Sequence, residues 1–492
     1  MATFRRIAAL VSSLAISAFA TPQPIDATGL WIKADESGWG LSVYHQGDTL
    51  FASLFTYGPD GQPKWYTASS LTAGPTVYSG VLAEATGPYF GASSFDPGSV
   101  SRTPVGNMTM TLDDTAATLN YSVNGVQVSK RITRFSMRPI AFYGRYGALV
   151  QPAQDGRSEV RVLDQHLSGF TDTGTTFGFS TDSNRTGSCT FNGTSRTQNG
   201  ETVTASGVGR CSGDPQPPQI PWSMTVDPTP HGFTGTFTGN IGSAKGLVRA
   251  NFAASRDGPS SLQGMGYIND LWFPPNEGGW GLNLIEQGDT AFATLFVFDA
   301  QNRPHWYSAS QLIAGTQGGR PSWTGLLEES TGPYFGAPFN ASSVTRRVVG
   351  TMTFVLQENG DGSLGYTVNG TTVAKRVNRF AFRKNDLTGN YQGIVRGDGY
   401  DDATFAIDDQ GDRVNMTIDI FTGSNCNYAG KSIQYGSQRS VYGTYTCQGG
   451  RQGTFEMNDI MVTAQGFTGT FQGPPGHSSN LITNGRMSGA RR

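Results

Sequence analysis

The chain carries one set of motifs twice, in the same order and at nearly constant spacing. Leu30-Trp31, Gly38-Trp39-Gly40-Leu41 and Gln46-Gly47-Asp48-Thr49 return as Leu271-Trp272, Gly279-Trp280-Gly281-Leu282 and Gln287-Gly288-Asp289-Thr290, an offset of 241 residues. The match continues through Pro63-x-Trp65-Tyr66 and Pro304-x-Trp306-Tyr307, then slips by four residues near Gly74 and Gly315, as a surface loop allows. It resumes in Thr86-Gly87-Pro88-Tyr89-Phe90-Gly91 and Thr331-Gly332-Pro333-Tyr334-Phe335-Gly336. A period this long far exceeds that of a stacked solenoid, so each copy must hold its own globular cores. We name the repeated unit A, over 28–137 and 269–382. Each A precedes a unit B, over 138–258 and 383–492, and both B units end alike in Gly232-Phe233-Thr234-Gly235-Thr236-Phe237 and Gly466-Phe467-Thr468-Gly469-Thr470-Phe471. The plan is a tandem A-B-A-B.

Composition separates β from α. The 66 glycines and 25 prolines, with only 15% charged residues, are the reverse of a helical profile. Asn124-Gly125 and Asn369-Gly370 are strong hairpin signals, and Gly47-Asp48 and Gly288-Asp289 read as two-residue turns. With Gly47-Asp48 as the turn, Gln46 faces Thr49, Tyr44 faces Phe51 and Gly40 faces Phe55. Leu41 and Val43 then share a face with Ala52 and Leu54, and the other face is aromatic and polar. Both faces of this hairpin are therefore expected to be covered, one by a core and the other by a ligand, a neighbouring module or a partner chain. The expected fold is all-β, a tandem duplication of two small antiparallel β-barrel or β-sandwich modules.

The first residues point to export. Arg5 and Arg6, an apolar run from Ile7 to Ile16 and the small-residue stretch Ala18-Phe19-Ala20 have the order of a signal peptide over 1–20. No cysteine follows that run, so a lipoprotein anchor is not expected, and no later stretch is apolar enough for a membrane-spanning helix. The four cysteines fall in two local pairs, Cys189 with Cys211 and Cys426 with Cys447, spaced for disulfides in an oxidising, secreted or periplasmic setting. Zinc ligation is the alternative, although neither pair has C-x-x-C spacing. A net charge of -2 gives no electrostatic case for nucleic acid.

The repeat of Leu-Trp, Glu-x-Gly-Trp-Gly-Leu, Gln-Gly-Asp-Thr-x-Phe-Ala-x-Leu-Phe and Pro-x-Trp-Tyr resembles one found in poorly characterised exported proteins of Gram-negative bacteria. The resemblance covers both A units. It implies secretion and β-structure, and brings no catalytic residue.

Motif chemistry is sparse. There is no G-x-S-x-G, H-E-x-x-H, Walker loop or dinucleotide fingerprint. His45 and His305 are replaced in the other copy by Glu286 and Lys64. Glu36 with Glu277, Asp48 with Asp289 and Glu84 with Glu329 do recur, and a glycosidase needs two such carboxylates. A loop glutamate bonded to backbone, and a turn aspartate bonded to its own backbone, explain them without catalysis. Asp408-Asp409-Gln410-Gly411-Asp412 and Asn359-Gly360-Asp361-Gly362 lack the calcium loop's closing glutamate and read as turns. No metal or cofactor is expected, and no residue is assigned a catalytic role.

The ligand candidates are aromatic: Trp39, Trp65, Tyr66, Trp280, Trp306 and Tyr307, with Glu36 and Glu277 beside the glycine-flanked tryptophans. Flat rings stack on sugars, and core packing is their competing use. Three functions stay open: an exported non-catalytic protein that binds a glycan or an envelope protein, an extracellular polymer-acting hydrolase using paired carboxylates, and a structural surface component.

Overall fold

The computed structural model describes residues 26–492, apart from 75, 114, 141–145, 153–165, 173–176, 183–188, 213–218, 240–247, 257–266, 398, 399, 421–423 and 475–481. The signal-peptide expectation for 1–20 lies outside these residues. Strands between Gly29 and Arg134 close an eight-stranded antiparallel barrel, as do those between Asp270 and Arg379 and those between Gly389 and Arg491. The remaining unit, Tyr146 to Arg256, is an eight-stranded antiparallel sheet in which the first strand, Tyr146–Pro152, pairs with the last, Val248–Arg256. The chain is thus all-β, and the choice between barrel and sandwich resolves to barrels in three of the four units. Among the described residues the only helical turns are two 3-10 turns, Pro97–Ser99 and Ala341–Ser343.

Turn chemistry sets the register. Gly47 has φ 58°, and the strands Gly40–Gln46 and Thr49–Tyr57 pair Gln46 with Thr49, Tyr44 with Phe51 and Gly40 with Phe55. The second barrel repeats this, with Gln287 opposite Thr290 and Gly281 opposite Phe296. Asn124-Gly125 and Asn369-Gly370 both carry positive φ at both turn residues, which makes them two-residue hairpins of the type that matches strand twist. Inside the first barrel Leu41, Val43, Ala52 and Leu54 pack with Trp31, whose indole N–H donates to the Ala27 carbonyl at 2.9 Å. Trp272 does the same toward Ile268 at 2.9 Å in the other barrel. Arg134 and Arg379 lie over the faces of these two rings, 5.2 and 4.6 Å from the ring centres.

The aromatic face of each hairpin is covered by the other A barrel, and the contacts are reciprocal. Trp65 Nε1 donates to the Val297 carbonyl at 3.0 Å, and Trp306 Nε1 donates to the Thr56 carbonyl at 2.9 Å. Phe55 packs on Trp306 with ring centres 5.2 Å apart, and Phe296 packs on Trp65 at 5.7 Å. The Thr-Gly-Pro-Tyr-Phe-Gly loops are exchanged: Phe90 meets Tyr307 and Phe335 meets Tyr66, at 6.0 and 6.1 Å. The Gly87 N–H donates to the Asn302 carbonyl and the Gly332 N–H to the Gly61 carbonyl. A surface that meets its own copy in this way is self-complementary, as in a two-fold dimer.

The Gln-Gly-Asp-Thr turns extend this exchange to the B units. Buried Gln46 accepts from the N–H groups of Phe382 and Arg383 and donates to the Phe380 carbonyl, so its amide pairs with the segment that leads from the second A into its B. Gln287 treats Met137, Arg138 and Phe135 identically in the other A-to-B segment. At Gly47 a side chain would lie 2.5 Å from the Lys384 carbonyl oxygen. Asp48 bonds Thr49 and forms a double contact with Arg383 at 2.6 and 2.8 Å. The turn aspartate therefore answers to an arginine of the opposite half as well as to its own turn.

The B units meet through their shared ending. Thr463 Oγ1 donates to Thr234 Oγ1 at 2.9 Å, and Thr468 Oγ1 donates to Thr229 Oγ1 at 2.7 Å. Phe233 and Phe467, beside these threonines, are fully buried in their own cores. Cys426 and Cys447 are register partners joined by a disulfide. Cys189 faces Cys211 in the same place of the other B unit and is disulfide-bonded. Each closed loop of this length contributes roughly 3 kcal/mol in the chain-entropy model.

Removing one clamp tests how much the halves depend on it. Gln46→Leu orphans three peptide groups and is expected to lower unfolding free energy by about 3 kcal/mol, against less than about 0.5 kcal/mol for Gln62→Leu at an exposed turn position. Chemical denaturation of the two variants checks this.

Candidate functional site

Glu36 and Glu277 are each occupied by a lysine and an indole. Glu36 accepts from Trp39 Nε1 at 3.0 Å and from Lys130 Nζ at 2.7 and 2.8 Å. Glu277 accepts from Trp280 Nε1 at 3.2 Å and from Lys375. Gly38 and Gly279, next to these tryptophans, do admit another surface, and that surface is the opposite A barrel. A side chain at Gly38 would stand 2.7 Å from Val344, and one at Gly279 would stand 2.7 Å from Val100. Trp39 and Trp280 are 4% and 7% exposed, and Trp65 and Trp306 are 3% and 2% exposed, so none of the four offers a free ring face. Burial also pushes the hydroxyls of Tyr66 and Tyr307 well above the usual phenol range. Glu84 pairs with Lys64 at 2.8 Å, while His305 and Arg347 together hold the Glu329 carboxyl down at about 2.

What the reciprocal seam leaves open is a cleft of about 510 Å³ between the A barrels. Its floor includes Leu30, Phe55, Phe135, Phe292 and Trp306, and its walls include Ser37, Ser308, Ser310, Gln311, Glu328 and Arg346. The two-fold relation explains why it is open. On the opposite side of the seam, four rings fill the corresponding volume: Phe51 with Phe380 at 6.0 Å and with Phe382 at 5.8 Å, and Phe273 with Phe380 at 5.3 Å. By the repeat, these positions on the cleft side hold Phe292, Phe135, Met137 and Ile32. Two phenylalanines, 382 and 273, have become Met137 and Ile32, and the cleft stands where those rings would be.

The wall differs as well. Glu328 and Ser330 occupy the places of Ala83 and Ala85. Arg346 Nη2 donates to Ser37 Oγ at 3.1 Å across the seam. Glu328 is partly buried, and among the described residues its carboxylate has no hydrogen bond or ion pair. An apolar floor with a few polar groups on the walls is the usual construction of a small-molecule site. Of the sequence candidates, Trp39 and Trp306 line this cleft, whereas Trp65, Tyr66, Tyr307, Trp280, Glu36 and Glu277 do not. Ile32, Met137, Glu328 and Arg346 escaped sequence reading, which compared the copies for agreement. The signal lay in the places where the copies disagree.

A larger space, about 790 Å³, lies where the first A barrel meets the second A-to-B segment and the second B barrel. Its charged lining is already partnered. Asp270 pairs with Arg379 at 2.8 Å, Asp48 with Arg383, and Arg491 Nη1 donates to the Thr388 carbonyl at 2.9 Å. His45 lines it, and burial lowers that imidazole while Asp26, 3.8 Å away, works the other way. Among the described residues no His, Cys, Asp and Glu group is arranged to hold a metal ion. Asp409 is bonded to Arg439 and Asp361 to Arg376, which commits the two acidic stretches to their turns.

At the repeat position of His45 stands Glu286, whose carboxyl is raised to about 8 by burial. The native state then holds a proton that the unfolded chain releases near pH 4.5, so stability falls as pH rises from there through about 8. Glu286→Gln is expected to reduce that slope by about 1.4 kcal/mol per pH unit, measurable as unfolding free energy between pH 5 and 8.

No family model matches the chain, and no curated protein matches it.

Proposed function

We propose that this is an exported, non-catalytic binding protein that takes a small amphipathic ligand in the cleft between its two A barrels. The observation that carries this reading is the break in symmetry: one side of the seam is packed with four aromatic rings, and the other is opened by Ile32 and Met137 and edged with Glu328, Ser330 and Arg346. A cleft of about 510 Å³ suits a ligand of modest size. A glycan laid on exposed tryptophans has less support, since the candidate rings are buried in the seam. A ligand or envelope component with an apolar portion fits better. The hydrolase alternative finds no free pair in Glu36 and Glu277, whose carboxylates are held by lysines and indoles. The structural-component alternative predicts no ligand at all.

An exported or periplasmic setting is supported by the bonded cysteines and by the N-terminal sequence order. No helix among the described residues is long and apolar enough to cross a membrane.

N-phenyl-1-naphthylamine, a neutral amphipathic fluorophore, tests the cleft. The intact protein is expected to bind it saturably at one site. Met137→Phe, which restores the aromatic of the other copy, is expected to weaken binding at least tenfold without lowering the melting temperature. Unchanged binding in that variant would count against the cleft.

A further inference from the structure

The cleft has a polarity of its own. Glu328 stands on the strand Arg320–Thr331, opposite Ser308 on one neighbouring strand and Val348 on the other. None of the cations nearby in sequence and register is paired with it, although Arg346 and Arg138 line the same cleft. Arg347 pairs with Glu329 at 2.7 Å, Arg346 reaches across the seam to Ser37, and Arg138 is bonded to Thr290 and lies 3.6 Å from Asp289. The Glu328 carboxylate therefore lines a cleft with an apolar floor and forms no ion pair among the described residues. The other barrel has Ala83 in this place, so the barrel itself does not need a carboxylate there.

From this geometry we infer that the cleft selects organic cations: an ammonium group carried on an apolar or aromatic body. The inference rests on the cleft being the ligand site. An incoming ammonium gains the one carboxylate among the residues that line the cleft, in surroundings where water screens the pair less than on an open surface. The apolar body replaces water over the partly exposed Phe135 and Phe292. A carboxylate on the same body would instead meet Glu328 as a like charge and could reach only Arg346 and Arg138, which are bonded to Ser37 and Thr290, and a neutral alcohol would gain only the apolar contact. The selected class is thus set by one side chain, and the floor contributes the rest of the affinity without discriminating charge.

Three ligands of nearly equal shape separate these contributions: 2-phenylethylamine, 2-phenylethanol and phenylacetate, each used to displace N-phenyl-1-naphthylamine from the full chain at pH 7. The amine is expected to displace at a concentration at least tenfold below that of the alcohol, with phenylacetate weakest. Glu328→Gln, which keeps the side chain's size, should bring amine and alcohol together and leave the alcohol's own affinity within twofold. Equal displacement by all three in the unaltered protein, or a preference for the amine that survives Glu328→Gln, would overturn the charge assignment. If Met137→Phe still abolishes fluorophore binding in that case, the cleft stands as the site and only its polarity is wrong. If Met137→Phe changes nothing, the cleft itself falls and the cation inference falls with it.

Discussion

Two indole N–H groups cross the seam between the A barrels, each ending on a backbone carbonyl of the partner hairpin. The hairpin Gly40–Gln46 and Thr49–Tyr57 has two apolar faces, and a single eight-stranded barrel can bury only one of them. The second face has to find another surface. Because that surface is the same hairpin in another copy, Phe55 fits beside Trp306 where Phe296 fits beside Trp65. The indole bonds give this apolar contact its direction, since a buried N–H without an acceptor costs about as much as the contact gains. From this seam follow the exchange of the Tyr-Phe loops, the glutamine clamps on the A-to-B segments, and the pairing of the B units through their threonines.

The glutamine clamps have a consequence for the site. Gln287 holds the segment containing Met137 and Arg138, both of which line the cleft. The cleft is therefore bordered by side chains whose backbone is fixed by the opposite half, so its shape is set before a ligand arrives. Preorganisation of this kind lowers the entropy lost on binding. The same clamp on the other side holds Phe382 in the packed position. Identical backbone scaffolding thus carries two different fillings, and the departure from symmetry is confined to side chains.

Much of this was legible from residues alone. The Gly47 turn determined which residues face one another, and glycine at positive φ in Asn124-Gly125 and Asn369-Gly370 marked the hairpins. The double coverage of the first hairpin was legible too, because both of its faces lack charge. Which object covers the aromatic face was not: a module, a partner and a ligand all select aromatic residues next to glycine. Trp39 illustrates the ambiguity, since Gly38 admits Val344 of the other barrel just as it could admit a sugar. Asp48 looked self-sufficient in its turn, and the arginine it also holds lies 335 residues away. The cleft itself arises from what Ile32 and Met137 fail to fill, and a void has no residue type to mark it.

Hydrogen exchange on the full-length Trp65→Ala variant tests the central coupling most directly. If the two A barrels share one packed seam, amides of the strand Thr290–Phe298 in the second barrel should exchange faster along with those of Pro63–Ala73 in the first. Faster exchange confined to the first barrel, with Thr290–Phe298 unchanged, would contradict a shared seam and leave two barrels that merely touch.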